Sequence, residues 1–159
     1  MRVRGRQAGK PVLVLIADLA MAGMVAASVP SGARRLAARF WPGPLTLVLP
    51  ARDDAPAVLT AGTGTVGVRV SSHPTAAALV AALGRPVTAP SVNPPGAAPA
   101  RDVAEARAYF GDAIAAYVDG GPSAGGASTV AMVEGDAVRV LREGRVSAAA
   151  LEAALAGEG

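Results

Sequence analysis

Apolar and polar positions change rhythm several times along the chain, and each change marks an element. Pro11 to Ala17 (PVLVLIA) is an unbroken apolar run rich in β-branched residues, the pattern of a strand covered on both faces. Leu19 to Ala27, rich in alanine and methionine, predicts a short helix capped by Asp18. From Ser31 to Phe40 the spacing is helical: Leu36 and Phe40 share one face, while Arg34, Arg35 and Arg39 reach solvent. Trp41-Pro42-Gly43-Pro44 ends that helix, because two prolines and a glycine cannot continue it. Leu45 to Leu49 then alternates, with Leu45, Leu47 and Leu49 on one side and Thr46 and Val48 on the other. Pro50 to Gly64 has turn residues and no period. Thr65 to Val70 alternates again, setting Val66, Val68 and Val70 against Thr65, Gly67 and Arg69.

Ser72-His73-Pro74 predicts a helix start with Ser72 as its cap, running to about Leu83 and stopped by Gly84. Arg85 to Ala89 reads as a short strand. Asp102 and Glu105 have capping-box spacing ahead of a helix to about Phe110. Ala113 to Val118 predicts a strand, followed by a glycine-rich loop from Asp119 to Ala127. Ser128 to Val133 and Ala137 to Leu141 make a hairpin around Glu134-Gly135-Asp136, and Ser147 opens a last helix to about Ala156. Interleaved strands and helices give an α/β or α+β class with a mixed sheet, and 159 residues fit one domain.

Composition removes many chemistries. The chain has no cysteine and a single histidine, His73, which excludes disulfides, thiolate nucleophiles and a histidine-based zinc site within one chain. Net charge is +3, and of the 15 basic residues only Lys10 is a lysine. Arginine suits planar recognition of carboxylate or phosphate, which points to anionic ligands. Apart from Arg2, Arg4 and Arg6 the arginines are dispersed, too thinly for a nucleic-acid footprint. No apolar run approaches a membrane span and no signal-peptide pattern is present, so the expected location is the cytoplasm.

Some polar residues stand out. Pro90-Ser91-Val92-Asn93-Pro94-Pro95-Gly96 has a backbone dictated by proline, with Ala89 and Asn93 pushed toward extended geometry. Either it is a proline-rich turn, or it presents Ser91 and Asn93 on one side as a stiff hydroxyl and amide pair. Arg142 ends the last strand on the parity of Val138 and Val140; it either meets an anion on the covered face or curls to solvent beside Glu143. Arg69 shares its face with Gly67, which leaves room beside a cation unless that face is simply solvated. Ser128-Thr129 follows the glycine-rich loop, where hydroxyls and N–H groups could face phosphate or merely begin a strand. Thr46 read alone is an ordinary strand residue. Neither a Walker A sequence nor a GxGxxG is present.

Together, Phe40 to Leu49 (FWPGPLTLVL), Val68-Arg69-Val70 with His73-Pro74, Pro90-Ser91-Val92-Asn93, Ser128-Thr129-Val130 and Leu141-Arg142-Glu143-Gly144 resemble, in order, the YrdC-like threonylcarbamoyl-AMP synthases. The Trp-Pro-Gly-Pro-Leu-Thr string and the Ser-x-Asn motif are the specific ones. The resemblance implies a twisted mixed sheet flanked by helices and bent around a basic cleft. It implies that L-threonine, bicarbonate and ATP, the last with Mg²⁺, are joined into threonylcarbamoyl-AMP and pyrophosphate for modification of adenosine 37 of tRNA, with downstream tRNA-modification proteins as partners. Ser91, Asn93, Ser128 and Arg142 then resemble nucleotide contacts. Thr46 and Arg69 fall on the threonine and bicarbonate side, and Arg4-Gly5-Arg6 lines up with the family's catalytic Lys-x-Arg, Arg6 also serving the substrate side.

Arg4 stands where the family usually has lysine, and Pro95 where a serine commonly follows Ser-x-Asn. The family's N-terminal strand, helix and Pro-Thr-Glu/Asp-Thr loop precede Lys-x-Arg, whereas Arg4 is almost at Met1; the expectation is a single domain, 1–159, lacking that segment. The alternative is a non-catalytic paralogue that binds nucleotide, tRNA or double-stranded RNA, or an inactive fragment.

Overall fold

The computed structural model describes residues 12–122 and 125–157. The chain divides into two compact units, one containing Pro90–Gly125 and the other residues 9–89 and 126–159.

The larger unit is built on six strands: β1 (Leu13–Ile16), β2 (Leu45–Pro50), β3 (Thr65–Val70), β4 (Val87–Thr88), β5 (Thr129–Glu134) and β6 (Ala137–Arg142). Their spatial order is β4-β1-β3-β2-β5-β6. The β1/β3 and β2/β5 pairs are parallel and the other three are antiparallel, the mixed sheet expected from the sequence. Its helices are α1 (Ser31–Phe40), the single turn α2 (Ala57–Thr60), α3 (Pro74–Leu83) and, after the hairpin, a C-terminal helix from Ala148 to Ala156.

The period-two pattern decides which sheet face is covered. Val14, Ile16, Leu45, Leu47, Leu49, Val66, Val68, Val70 and Ala131 are buried in one core with Ala33, Leu36 and Ala37 of α1 and Leu151 of the C-terminal helix. Complete burial of a leucine such as Leu36, Leu45 or Leu47 contributes roughly 1.5–3 kcal/mol each. Gly32 lets α1 approach this core closely: a Cβ there would stand 2.8 Å from a methyl of Val133. Thr46, Val48 and Gly67 are left on the opposite face.

Several local expectations hold. Gly84 stops α3 in the left-handed region (φ 62°), the turn at Gly135 has φ 63°, and Ser147 accepts from the Ala150 N–H to cap the last helix. Others are corrected. Leu19 to Ala27 forms only a 3-10 turn at Met21–Met24, although Asp18 does accept from the Met21 N–H. The α3 cap position is His73 rather than Ser72, and it is Ser71 whose hydroxyl accepts from the His73 N–H.

In the smaller unit, α4 (Val103–Phe110) begins at Asp102, which accepts from the Glu105 N–H. That places the C-terminal helix as α5. Ala113 to Val118 is not a strand: a 3-10 turn covers Gly111–Ala113 and the rest is irregular. Its apolar residues offer no sheet edge a partner, and Val118 is exposed. Among the described residues no helix is long and apolar enough to cross a membrane.

Candidate active site

The sheet face opposite α1 and α5 carries a cavity of about 510 Å³, lined among others by Thr46, Gly67, Ser128, Val130, Leu141 and Arg142. Thr46 lies on β2, whose alternate residues Leu45 and Leu47 are locked into the core, so its hydroxyl must point into the cavity. Register pairs Thr46 with Val130 and Leu45 with Thr129, which brings Ser128, one residue before β5, alongside. The two hydroxyl oxygens lie 2.9 Å apart, both side chains buried. Gly67 contributes floor rather than contact: a Cβ there would meet the Thr46 methyl at 3.3 Å.

Arg142 closes this end. Its Nη2 donates to the Ser128 carbonyl at 2.8 Å and to the Ser128 hydroxyl at 3.3 Å. The parity that placed Arg142 with Val138 and Val140 is wrong, and a β-bulge explains why. Ala131 faces Val140 but Val130 faces Arg142, so Leu141 is an extra residue that reverses the alternation. Val138 and Val140 pack on the core, whereas Arg142 turns to the cavity face.

Arg69 lies two residues beyond Gly67 on the same face of β3 and is half-buried. Among the described residues its Nε is buried with no hydrogen-bond partner. Burial, and then the like charge of Arg142, push its guanidinium below the ordinary arginine value. Arg142 beside a pair of buried hydroxyls, with Arg69 close enough to feel its charge and no carboxylate lining the cavity among the described residues, forms a site that an anion would relieve.

Thr129, next to Ser128, does not line the cavity. Thr129 is buried completely and its hydroxyl is used internally, donating to Val146 O at 2.6 Å and accepting from the N–H groups of Gly144 and Val146. Ser91 and Asn93 belong to the smaller unit. There the extended presentation is replaced by a turn: the Asn93 N–H bonds back to Ser91 O, and the Asn93 amide donates to Pro94 O and Ala97 O. Ser91 is exposed and Asn93 buried, so the two are not a matched pair on one side of an extended chain. Arg4 and Arg6 lie outside the described residues.

Arg139 and Met132 line the cavity and were not singled out from sequence. The signal existed for Arg139, because alternation against Val138 and Val140 already sets it on the uncovered face. It pairs with Glu134 at 3.3 Å. No group of three His, Cys, Asp or Glu side chains able to hold a metal occurs among the described residues.

The profile of the Sua5/YciO/YrdC family, described as telomere recombination, matches residues 1–144. The chain belongs to this family. Over 156 residues it is 41% identical to the Bacillus subtilis threonylcarbamoyl-AMP synthase, covering 96% of this chain and 44% of that protein. With the Thiobacillus denitrificans threonylcarbamoyl-AMP synthase it shares 43% over 122 residues, 76% of this chain and 63% of the relative. The chain thus spans 44% to 63% of the length of these relatives. A crystal structure of Pyrococcus abyssi Sua5 complexed with L-threonine superposes with a TM-score of 0.90 at 35% identity, covering 96% of this chain and 45% of that one. Escherichia coli YciO superposes at 0.73 with 30% identity, covering 91% and 70%. The Sua5/YciO/YrdC sheet is therefore the fold of the larger unit, and the cavity lies on its face opposite α1 and α5.

Proposed function

We propose that the chain is the synthase part of a threonylcarbamoyl-AMP synthase, joining L-threonine, bicarbonate and ATP. The observation that carries the reading is the pair Arg69 and Arg142, close enough to feel each other's charge, with the Thr46 and Ser128 hydroxyls, on a face that offers cations and small donors. The named activity of the Bacillus subtilis and Thiobacillus denitrificans relatives supports it.

The reaction needs little else from the protein. The threonine amine takes up the bicarbonate carbon with loss of water, giving a carbamate. A carbamate oxygen then attacks the α-phosphorus of ATP, and the bond from that phosphorus to the bridging oxygen breaks to release pyrophosphate. Bicarbonate, the carbamate, ATP and both phosphorylated products are anionic, and such transfers depend on positioning and on cations offsetting the spread charge. Arg69, half-buried and without a partner at Nε among the described residues, suits a carboxylate on the threonine side. Arg142, held on Ser128 at the cavity mouth, suits phosphate oxygens. A divalent cation arriving with ATP would be held by the phosphates, because no carboxylate among the described residues lines the cavity.

The test is pyrophosphate release from ATP with threonine and bicarbonate omitted in turn. Release that requires both supports the proposal. Saturable ATP binding without threonine-dependent release would instead favour a nucleotide- or RNA-binding paralogue.

A further inference from the structure

We propose that Thr129 is a positioning residue of this site, acting with Gly144 as a clasp that fixes Arg142 on Ser128. This rests on the reading above that Arg142 and Ser128 face the anionic substrates. The clasp lies behind the cavity, and the Thr129 side chain has no exposure to any ligand.

Its hydroxyl is saturated. It donates to Val146 O at 2.6 Å and accepts from the N–H groups of Gly144 and Val146 at 2.9 and 3.0 Å, using one donor and two lone pairs. Around it, the Thr129 N–H donates to Pro44 O at 2.9 Å and the Arg145 N–H to Ala127 O at 3.2 Å. The segment just after Arg142 is thereby fastened to the residues on both sides of Ser128. Gly144 makes the approach feasible. A Cβ there would lie 2.6 Å from the Ser128 carbonyl carbon and 2.7 Å from the Thr129 nitrogen, backbone atoms that cannot give way.

The clasp serves a particular geometric need. The bulge at Leu141 reverses the alternation just before Arg142, and residues next to a bulge lose ladder hydrogen bonds that would otherwise hold their direction. Beyond its ladder pairing with Val130, the redirected strand end is fixed from outside the ladder, where the Thr129 hydroxyl holds Gly144 and Val146 shortly after Arg142. Ser128, whose carbonyl and hydroxyl receive the Arg142 guanidinium, is the residue directly before Thr129 in the chain.

The experiment compares Thr129→Val, which keeps the shape and loses the hydroxyl, with Thr129→Ser, which keeps the hydroxyl. Ile16→Val, in the core of the covered face, controls for lost stability. Two readouts are taken on the full chain. In the first, ¹⁵N-arginine labelling reports rotation of the Arg142 guanidinium, assigned by loss of its signals in Arg142→Gln. Thr129→Val should speed that rotation by about fivefold or more, the loss of roughly one net hydrogen bond's restraint, while Thr129→Ser and Ile16→Val stay near the wild-type rate. In the second, the ATP dissociation constant should rise about tenfold in Thr129→Val and return to within about twofold of wild type in Thr129→Ser. Unchanged rotation in Thr129→Val, or equal effects in Ile16→Val, would overturn the clasp. If wild-type protein neither binds ATP nor turns it over, the functional reading fails, and the rotation readout still decides the positioning role.

Discussion

Replacing Arg142 with glutamine separates what the arginine does for the fold from what it does for a ligand. In the free protein the substitution removes hydrogen bonds to the carbonyl and hydroxyl of Ser128, at 2.8 and 3.3 Å, a loss of about 1 kcal/mol for a partly exposed group. It also removes the like charge that disfavours Arg69, a gain on the order of 1 kcal/mol or less after solvent screening. These terms oppose each other, so the melting temperature of Arg142→Gln without ligand should stay within about 3 °C of wild type. The ligand term has no such compensation. An anion present at a hundredfold excess over its dissociation constant stabilises the wild type by about 2.7 kcal/mol, and in a domain of this size that is about 5–10 °C. The assay is thermal unfolding with and without pyrophosphate and ATP at matched ionic strength. Wild type should shift by that amount, and Arg142→Gln should lose most of the shift. An undiminished shift in the variant would refute the assignment of Arg142 to phosphate.

Three further outcomes test other parts of the account. Gly144→Ala should lower urea-unfolding stability by at least about 2 kcal/mol, because its Cβ would meet the Ser128 and Thr129 backbone rather than a movable side chain. Asn93→Ala should speed amide exchange at the loop it ties together, since Pro94 O and Ala97 O lose their amide donor, with little change in the β-sheet. In α4, the hydrogen bonds from the Arg101 side chain and then its backbone N–H hold the Glu105 carboxyl below its ordinary value. A depressed carboxyl stabilises fully above its unfolded value of 4.5 and loses that contribution as pH falls through the lower folded one. Protection of α4 by hydrogen exchange, corrected for intrinsic rates, should therefore decline with acid in wild type and be flatter in Glu105→Gln.

Much of the sheet was legible because period two is a strong signal when one face is buried. Val66, Val68 and Val70, and Leu45, Leu47 and Leu49, fall on the core face as the alternation requires. The same rule misplaced Arg142, because a bulge is an extra residue with no compositional mark at Leu141. Propensity also overstated Leu19 to Ala27, where alanine and methionine favour a helix but the chain has room for only a 3-10 turn before α1. The Pro90 to Gly96 segment shows the limit of reasoning from proline alone. Proline restricts φ, yet the Asn93 amide closes the loop on Pro94 O and Ala97 O, and that side-chain choice is invisible in a dipeptide rule. Thr46 looked ordinary in sequence because its importance comes from Ser128, which only the β2/β5 register brings beside it.

The proposed activity is tested most directly through its product. The chain is incubated with ATP, L-threonine and ¹³C-bicarbonate, and the nucleotides are resolved by mass spectrometry. The account predicts a labelled adenylate whose bicarbonate carbon joins the threonine nitrogen to the AMP phosphate, formed with pyrophosphate and strongly reduced in Arg142→Gln. Unlabelled AMP or ADP alone, from wild-type protein that binds ATP, would contradict it.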